Sequence, residues 1–261
     1  MLVLIVGEYK SGKTISAATF PKPMLFLDFD DGFQSVKTTR TKAGDLLIQE
    51  QDKIEVVSFY KKNVYPLQFI TDVGSKNPPL HTLNSPALMQ TFNEIIQGLA
   101  KDGCYKEKGP YLTLVIDSLT NFFLLWKEVT LRMNNISTLR IPDYGTFESV
   151  LFGQFIPSLK TILATAKLEH IILTDHIDSD KNEITGEISR FPVGPSRPLG
   201  QKLGLFFDEI WLQEFQAGNY QWRTKRQGLL NVGTRNNLPE VINPASWQEL
   251  QKVLINQKKG G

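Results

Sequence analysis

Across 261 residues the chain has one cysteine, Cys104, and three histidines, His81, His170 and His176. A single cysteine excludes an internal disulfide or a cysteine-built zinc site. It points to a reducing, intracellular compartment. The histidines form no HExxH and no other metal-ligand spacing, which removes the zinc hydrolases. Long apolar runs are missing too. No window approaches the roughly 20 apolar residues of a membrane helix. The apolar opening at 1–6 is too short for a secretory signal and lacks a basic flank. Neither sign of charge dominates: 29 Lys+Arg against 27 Asp+Glu leave a net charge of +2. That excludes a polycation but not a local basic face, because phosphate contacts depend on local charge. No GxSxG, no GxGxxG, no internal repeat and no low-complexity tract occurs.

What is present is a soluble, globular texture, with 41% hydrophobic and 21% charged residues. The segment 2–6 is a continuous apolar, β-branched run, suited to a strand covered on both faces. Similar runs at 24–27, 54–59, 112–116 and 171–173 predict further buried strands. Helices are expected at 13–20, from a Ser85-Pro86 start to 101, at 118–133 and at 144–167. The stretch 74–79 reads as loop. Later the texture changes to short strands at 205–212, 220–224 and 229–232, as in an antiparallel extension. Ser246 is expected to cap a last helix to about 256, before a frayed tail at 257–261. Strands alternating with helices predict an α/β fold with a mainly parallel central sheet flanked by helices. The division expected is a core at 1–243 and a C-terminal helix and tail at 244–261. Such sheets bind ligands at the carboxyl ends of their strands.

Four residue clusters lie at those ends. Gly7-Glu8-Tyr9-Lys10-Ser11-Gly12-Lys13-Thr14 matches G-x-x-x-x-G-K-[ST]. Its glycines let backbone amides wrap a phosphate chain, and the following helix adds its positive dipole end. Lys13 would neutralise the β- and γ-phosphates, and the Thr14 hydroxyl would reach Mg²⁺. The apolar strand before Asp117 supplies the second standard part, an aspartate for the Mg²⁺ shell; a helix cap is the competing role. Asp28, Asp30 and Asp31 crowd the end of the second strand. Hydrolysis needs a carboxylate to orient or deprotonate water, and Asp30 or Asp31 could do so. Thr174-Asp175-His176 ends another core strand and can touch a terminal phosphate.

With these four ends the sequence resembles the RecA-like branch of P-loop ATPases. More narrowly, it is similar to the phage-encoded AAA-type ATPases that include the Sak-type single-strand annealing proteins of the fourth class. The resemblance covers about residues 1–243 and rests on GEYKSGKT, LFLDFDDG, LVIDS, IILTDH, FFDEIW and GTRNNLP. It implies an ATP- and Mg²⁺-dependent ATPase that binds single-stranded DNA. It places the water-activating carboxylate at Asp30, where the family more often has Glu, and the polar sensor at His176. It also makes Arg235 the best match for a residue reaching a neighbouring subunit's γ-phosphate. A homo-oligomer is implied, with a single-strand-binding or replication protein as a further partner and the host cytoplasm as the location. Because strand one begins at Leu2, the oligomer is expected to use a surface other than the filament-linking segment of RecA-type recombinases.

By the same resemblance, DNA loops would lie near 132–146 and 177–202. In the second, residues 190–202 carry Arg190, Arg197 and Lys202 with no acid, plus Phe191. Arginine for phosphate and an aromatic for stacking make a single-strand grip. A second acid-free run, 215–239, holds Arg223, Lys225, Arg226 and Arg235 among Tyr220 and Trp222. Two other functions compete: a nucleotide switch that loads a replication complex, and a P-loop kinase, for which no acceptor-binding signature is present.

Overall fold

The computed structural model describes residues 1–40, 46, 53–59, 85–181, 183–225 and 232–259. In chain order its first half comprises β1 (Leu2–Gly7), α1 (Lys13–Ala17), β2 (Met24–Asp28), α2 (Phe33–Thr38), β3 (Ile54–Ser58), α3 (Ser85–Asp102), β4 (Thr113–Asp117) and α4 (Leu119–Met133). Then follow α5 (Ile141–Val150), α6 (Ile156–Thr165), β5 (His170–Lys181), β6 (Ile188–Pro192) and α7 (Arg197–Leu203). The chain ends with β7 (Glu209–Gln216), β8 (Asn219–Arg223), β9 (Gly233–Thr234), β10 (Val241–Ile242) and α8 (Trp247–Lys259). The loop expected at 74–79, and the strand expected at 229–232 apart from Val232, lie outside the described residues.

The sheet order is β10-β8-β7-β1-β5-β4-β2-β3, with β6 on β5 and β9 on β7. From β3 through β7 all neighbours are parallel, and β8, β9 and β10 add the antiparallel extension. The α/β class expected from the sequence is therefore observed. β1, β2 and β4 are buried at every position. Their alternation sorts side chains onto two faces. Leu2, Leu4, Leu25, Leu27, Leu114, Ile116 and Leu173 pack with α3, α4 and α6 through Ile95, Phe122 and Leu159. Val3, Ile5, Phe26, Val115, Ile172 and Trp211 pack with α1, α2 and α8 through Ala17, Val36 and Leu250. Each fully buried large apolar side chain contributes about 1.5–3 kcal/mol of transfer free energy.

Four local expectations change. The helix read at 144–167 starts earlier, at Ile141, where the Asp143 carboxylate accepts the Arg140 N–H at 2.7 Å. It is also interrupted by a π-helical turn at Leu151–Phe155. Pro157 has no N–H to return to the carbonyl four residues back, inside that turn. The strand read at 205–212 begins only at Glu209, because Phe206 turns back to stack on Phe152 at 4.2 Å. The region 177–202, read as a DNA loop, is instead a hairpin and a helix. β5 continues past the sheet to pair with β6, from Ile177–Pro192 to Lys181–Ile188. α8 extends to Lys259 and rests on the core: the Trp247 ring lies 5.3 Å from Phe20, and Thr19 Oγ1 accepts the Trp247 N–H at 2.9 Å.

Candidate active site

Register brings the four clusters together. β1 pairs Gly7 with His176, and β2 pairs Asp28 with Asp117. The carboxyl ends of β1, β5, β4 and β2 thus form one row along a cavity of ≈ 940 Å³, within the range of small-molecule and cofactor sites. Residues 9–14, Asp30, Asp31, Asp117 and His176 line it.

The loop between β1 and α1 needs its glycines. Gly12 has φ +88°, and a Cβ there would meet the Tyr220 ring at 2.7 Å. A Cβ at Gly7 would lie 2.6 Å from Ser11 Oγ and 2.7 Å from the Gln213 carbonyl. Lys13 is buried, and its Nζ donates to the carbonyls of Gly7 at 3.0 Å and Glu8 at 2.9 Å. Burial lowers its pKa, against the opposing pull of Asp117 and Asp175.

Thr14 Oγ1 donates to Asp117 Oδ2 at 2.8 Å, across 103 residues of sequence. Thr174 Oγ1 donates to the other oxygen of Asp117. One carboxylate oxygen each from Asp28, Asp30 and Asp117 falls within a 4.8 Å cluster. Burial first, then the charge of Asp30, pushes the Asp117 carboxyl well above the usual range. Asp28 accepts the backbone N–H groups of Gly32 at 3.0 Å and Phe33 at 3.2 Å, so it caps α2. Asp30 is less committed: Oδ1 accepts from Gly32 at 3.2 Å and Oδ2 from Ser118 Oγ at 3.4 Å.

These residues fit a triphosphate and a divalent cation. A buried cation at Lys13, a hydroxyl at Thr14 and a hard-oxygen cluster suit phosphate and Mg²⁺. Gly32 keeps that cradle open. A Cβ there would lie 2.9 Å from Asp30 Oδ1, 3.0 Å from Asp117 Oδ2 and 3.1 Å from Thr14 Oγ1.

A family description for an AAA domain matches residues 1–193. The chain belongs to the AAA domain family. The AAA domain thus spans the phosphate loop, the Asp117 strand and the β5–β6 hairpin. No curated protein sequence matches. Solved structures similar to it include a KaiC-like protein from Pyrococcus horikoshii OT3, at 15% identity and TM-score 0.39, covering 85% of this chain and 75% of that one. The RadB recombinase is similar at 15% identity and TM-score 0.38, covering 87% of this chain and 84% of that one. No helix among the described residues is long and apolar enough to cross a membrane.

Other expected site residues lie elsewhere in the AAA domain chain. Arg235 is not brought to the cavity. It follows β9 at the amino end of β7, where its backbone N–H donates to Glu209 at 3.0 Å and Nη1 pairs with Asp208 at 2.7 Å. Glu209 is level with Val3, whereas the phosphate loop leaves β1 beyond Gly7, so Arg235 sits at the opposite end of the sheet. Of the expected DNA grip, Arg190 is exposed on β6, but the Phe191 ring is only 5% exposed and packs inward. Arg197 pairs with Asp180, and Lys202 with Glu148 at 2.6 Å. In the second basic run, Arg223 pairs with Glu214 at 2.6 Å and Trp222 is fully buried, while Arg226 lies outside the described residues.

Three contributors were not assigned to this site from the sequence, which places Tyr220 only in the second acid-free run. Gly32 shapes the cradle, Tyr220 presses its ring on the phosphate loop, and Thr120 holds His176. Thr120 carries a sequence signal in hindsight: it stands three residues past Asp117, in the first turn of the helix that leaves the site.

Proposed function

We propose that this chain is a RecA-like ATPase that hydrolyses ATP with Mg²⁺, binds single-stranded DNA, and acts as a homo-oligomer in recombination or strand annealing. The observation that carries the ATPase part is the meeting of Thr14 and Asp117 at 2.8 Å, beside the Asp30 carboxylate and Lys13. Two motifs far apart in sequence converge on one cradle that matches the charge of a triphosphate.

The residues divide the work. Loop amides and the start of α1 hold the phosphate chain, and Lys13 turns from its loop carbonyls to the β- and γ-phosphates. Bound Mg²⁺ would offset the negative charge of the triphosphate. Thr14 and Asp117 would hold it. Asp30, with an oxygen only weakly engaged by Ser118, accepts the proton of the attacking water. His176 reports on the terminal phosphate.

The DNA part is supported by the hairpin. β5 runs unbroken from the site at His176 to Lys181, and its partner β6 carries the exposed Arg190. Arg197 and Lys202 remain partly exposed around their ion pairs and could exchange a carboxylate for DNA phosphate.

The test is ATP hydrolysis with and without single-stranded DNA, read beside particle size. Hydrolysis stimulated by DNA, together with assembly, is the expected result. A folded protein that binds ATP without turnover overturns the ATPase part and favours the nucleotide switch. Turnover indifferent to DNA, with no DNA bound, overturns the DNA part.

A further inference from the structure

Beside the phosphate loop, behind His176, lie two polar residues that the hydrolysis scheme does not use, Thr120 and Asp175. Asp175, on β5, has no exposed surface. Its Oδ1 accepts the Thr120 hydroxyl at 2.6 Å and the His176 backbone N–H at 2.9 Å. Its Oδ2 has no hydrogen-bond partner among the described residues. Thr120 Oγ1, from the first turn of α4, also contacts His176 Nδ1 at 3.0 Å. The His176 ring lines the cavity and stacks on Tyr9, with centroids 5.8 Å apart and planes at 25°. A fully buried carboxylate with one oxygen unpartnered is costly while ionised, and holding a proton lowers that cost.

Counting hydrogens gives it one. Thr120 has a single hydroxyl hydrogen. When Asp175 is ionised, that hydrogen points to Oδ1. Thr120 can then only accept from the ring, so Nδ1 carries the proton and Nε2 is a bare lone pair. When Asp175 Oδ1 is protonated, it donates to Thr120. Thr120 in turn donates to Nδ1, and Nε2 carries the hydrogen. We propose that Thr120 and Asp175 are positioning residues that decide which nitrogen of His176 is protonated, and so whether the ring meets a terminal phosphate as donor or acceptor. This rests on reading the cavity as a triphosphate site.

The switch balances with one proton. A proton enters at Nε2 from the cavity, the Nδ1 hydrogen passes to Thr120, and the Thr120 hydrogen passes to Asp175. The carboxylate is thus neutralised without itself reaching water. Burial favours this state by pushing the Asp175 carboxyl up to about 8, and burial also lowers the His176 pKa, so the ring is neutral. The charged groups facing the relay are Lys13 and Glu8 from the phosphate loop and Asp30 from the end of β2. Lys13 favours ionised Asp175 and disfavours a cationic ring. A polyanion placed beside Lys13 offsets both effects and draws the proton in.

The experiment reads the His176 tautomer by nitrogen NMR in the nucleotide-free protein, from about pH 6 to about pH 9, on either side of the Asp175 titration. The expected result is Nε2–H at the low end and Nδ1–H at the high end. In Thr120→Val the tautomer should no longer follow pH, and Thr120→Ser should restore the dependence. ATP affinity of the unmutated protein should fall about tenfold over the same range, the worth of one hydrogen bond to a charged group. A tautomer that is the same at both ends, or the same in Thr120→Val as in the unmutated protein, overturns the relay. Circular dichroism on both variants checks their folding. A pH-dependent tautomer in a protein that binds no ATP would instead leave the relay standing and remove the proposed function.

Discussion

Single atoms decide whether the cradle can work, and Gly32 is the sharpest case. Its φ of −66° is open to any residue, so backbone strain does not require glycine there. The requirement is space, since a methyl group would press on Asp30, Asp117 and Thr14 together. Gly32→Ala should therefore change stability by no more than about 1 kcal/mol. It should slow ATP turnover about 10²-fold, the usual effect of a displacement of about 1 Å at a reacting centre. Thermal melting beside the turnover rate checks this; unchanged turnover would mean that the cradle gives way freely. Lys13 and Thr14 were legible in the sequence because the phosphate loop fixes their spacing, and Asp117 because an apolar strand run ends on it. Gly32 and Thr120 were not, because Asp117 stands 85 residues from the first and Asp175 stands 55 from the second, brought close only by the sheet. The aromatic part of the expected DNA grip misled for the same reason: an acid-free run reads as a face, but Phe191 alternates inward on β6.

At the scale of elements, the buried strands were the most legible, since a strand covered on both faces is apolar at every position. β1, β2, β4 and the first half of β5 fall where the apolar runs stand. Edges and interruptions were less so. The π-helical turn before Pro157 and the late start of β7 depend on packing partners rather than on local pattern. The β5–β6 hairpin shares its strand with the core, and the change from apolar 171–173 to polar 178–181 reads locally as a loop, because the pairing with β6 leaves no apolar pattern. α8 gives a direct check. Leu250 is fully buried among the side chains behind β1 and β2. Leu250→Ala should cost about 2–5 kcal/mol in denaturant unfolding. A loss below about 1 kcal/mol would make α8 an appendage rather than part of the core.

For the whole molecule, the order β1-β5-β4-β2 places one strand between the phosphate loop and Asp117. That interval lets Thr174 of β5 bond Asp117, while the Thr14 and Asp30 side chains meet it from either side. His176 follows two residues beyond Thr174 on the same strand, level with Gly7 of β1, and the hairpin carries that strand on to pair with β6. The central claim is that this arrangement hydrolyses ATP with Asp30 as the base. Single-turnover hydrolysis of bound ATP by Asp30→Asn, with ATP affinity measured in parallel, tests it most directly. The account predicts retained binding and hydrolysis slowed by about 10²-fold or more, the contribution of a general base. Normal hydrolysis by Asp30→Asn would contradict it, and slow hydrolysis by Asp31→Asn in the same assay would move the role one residue along the loop.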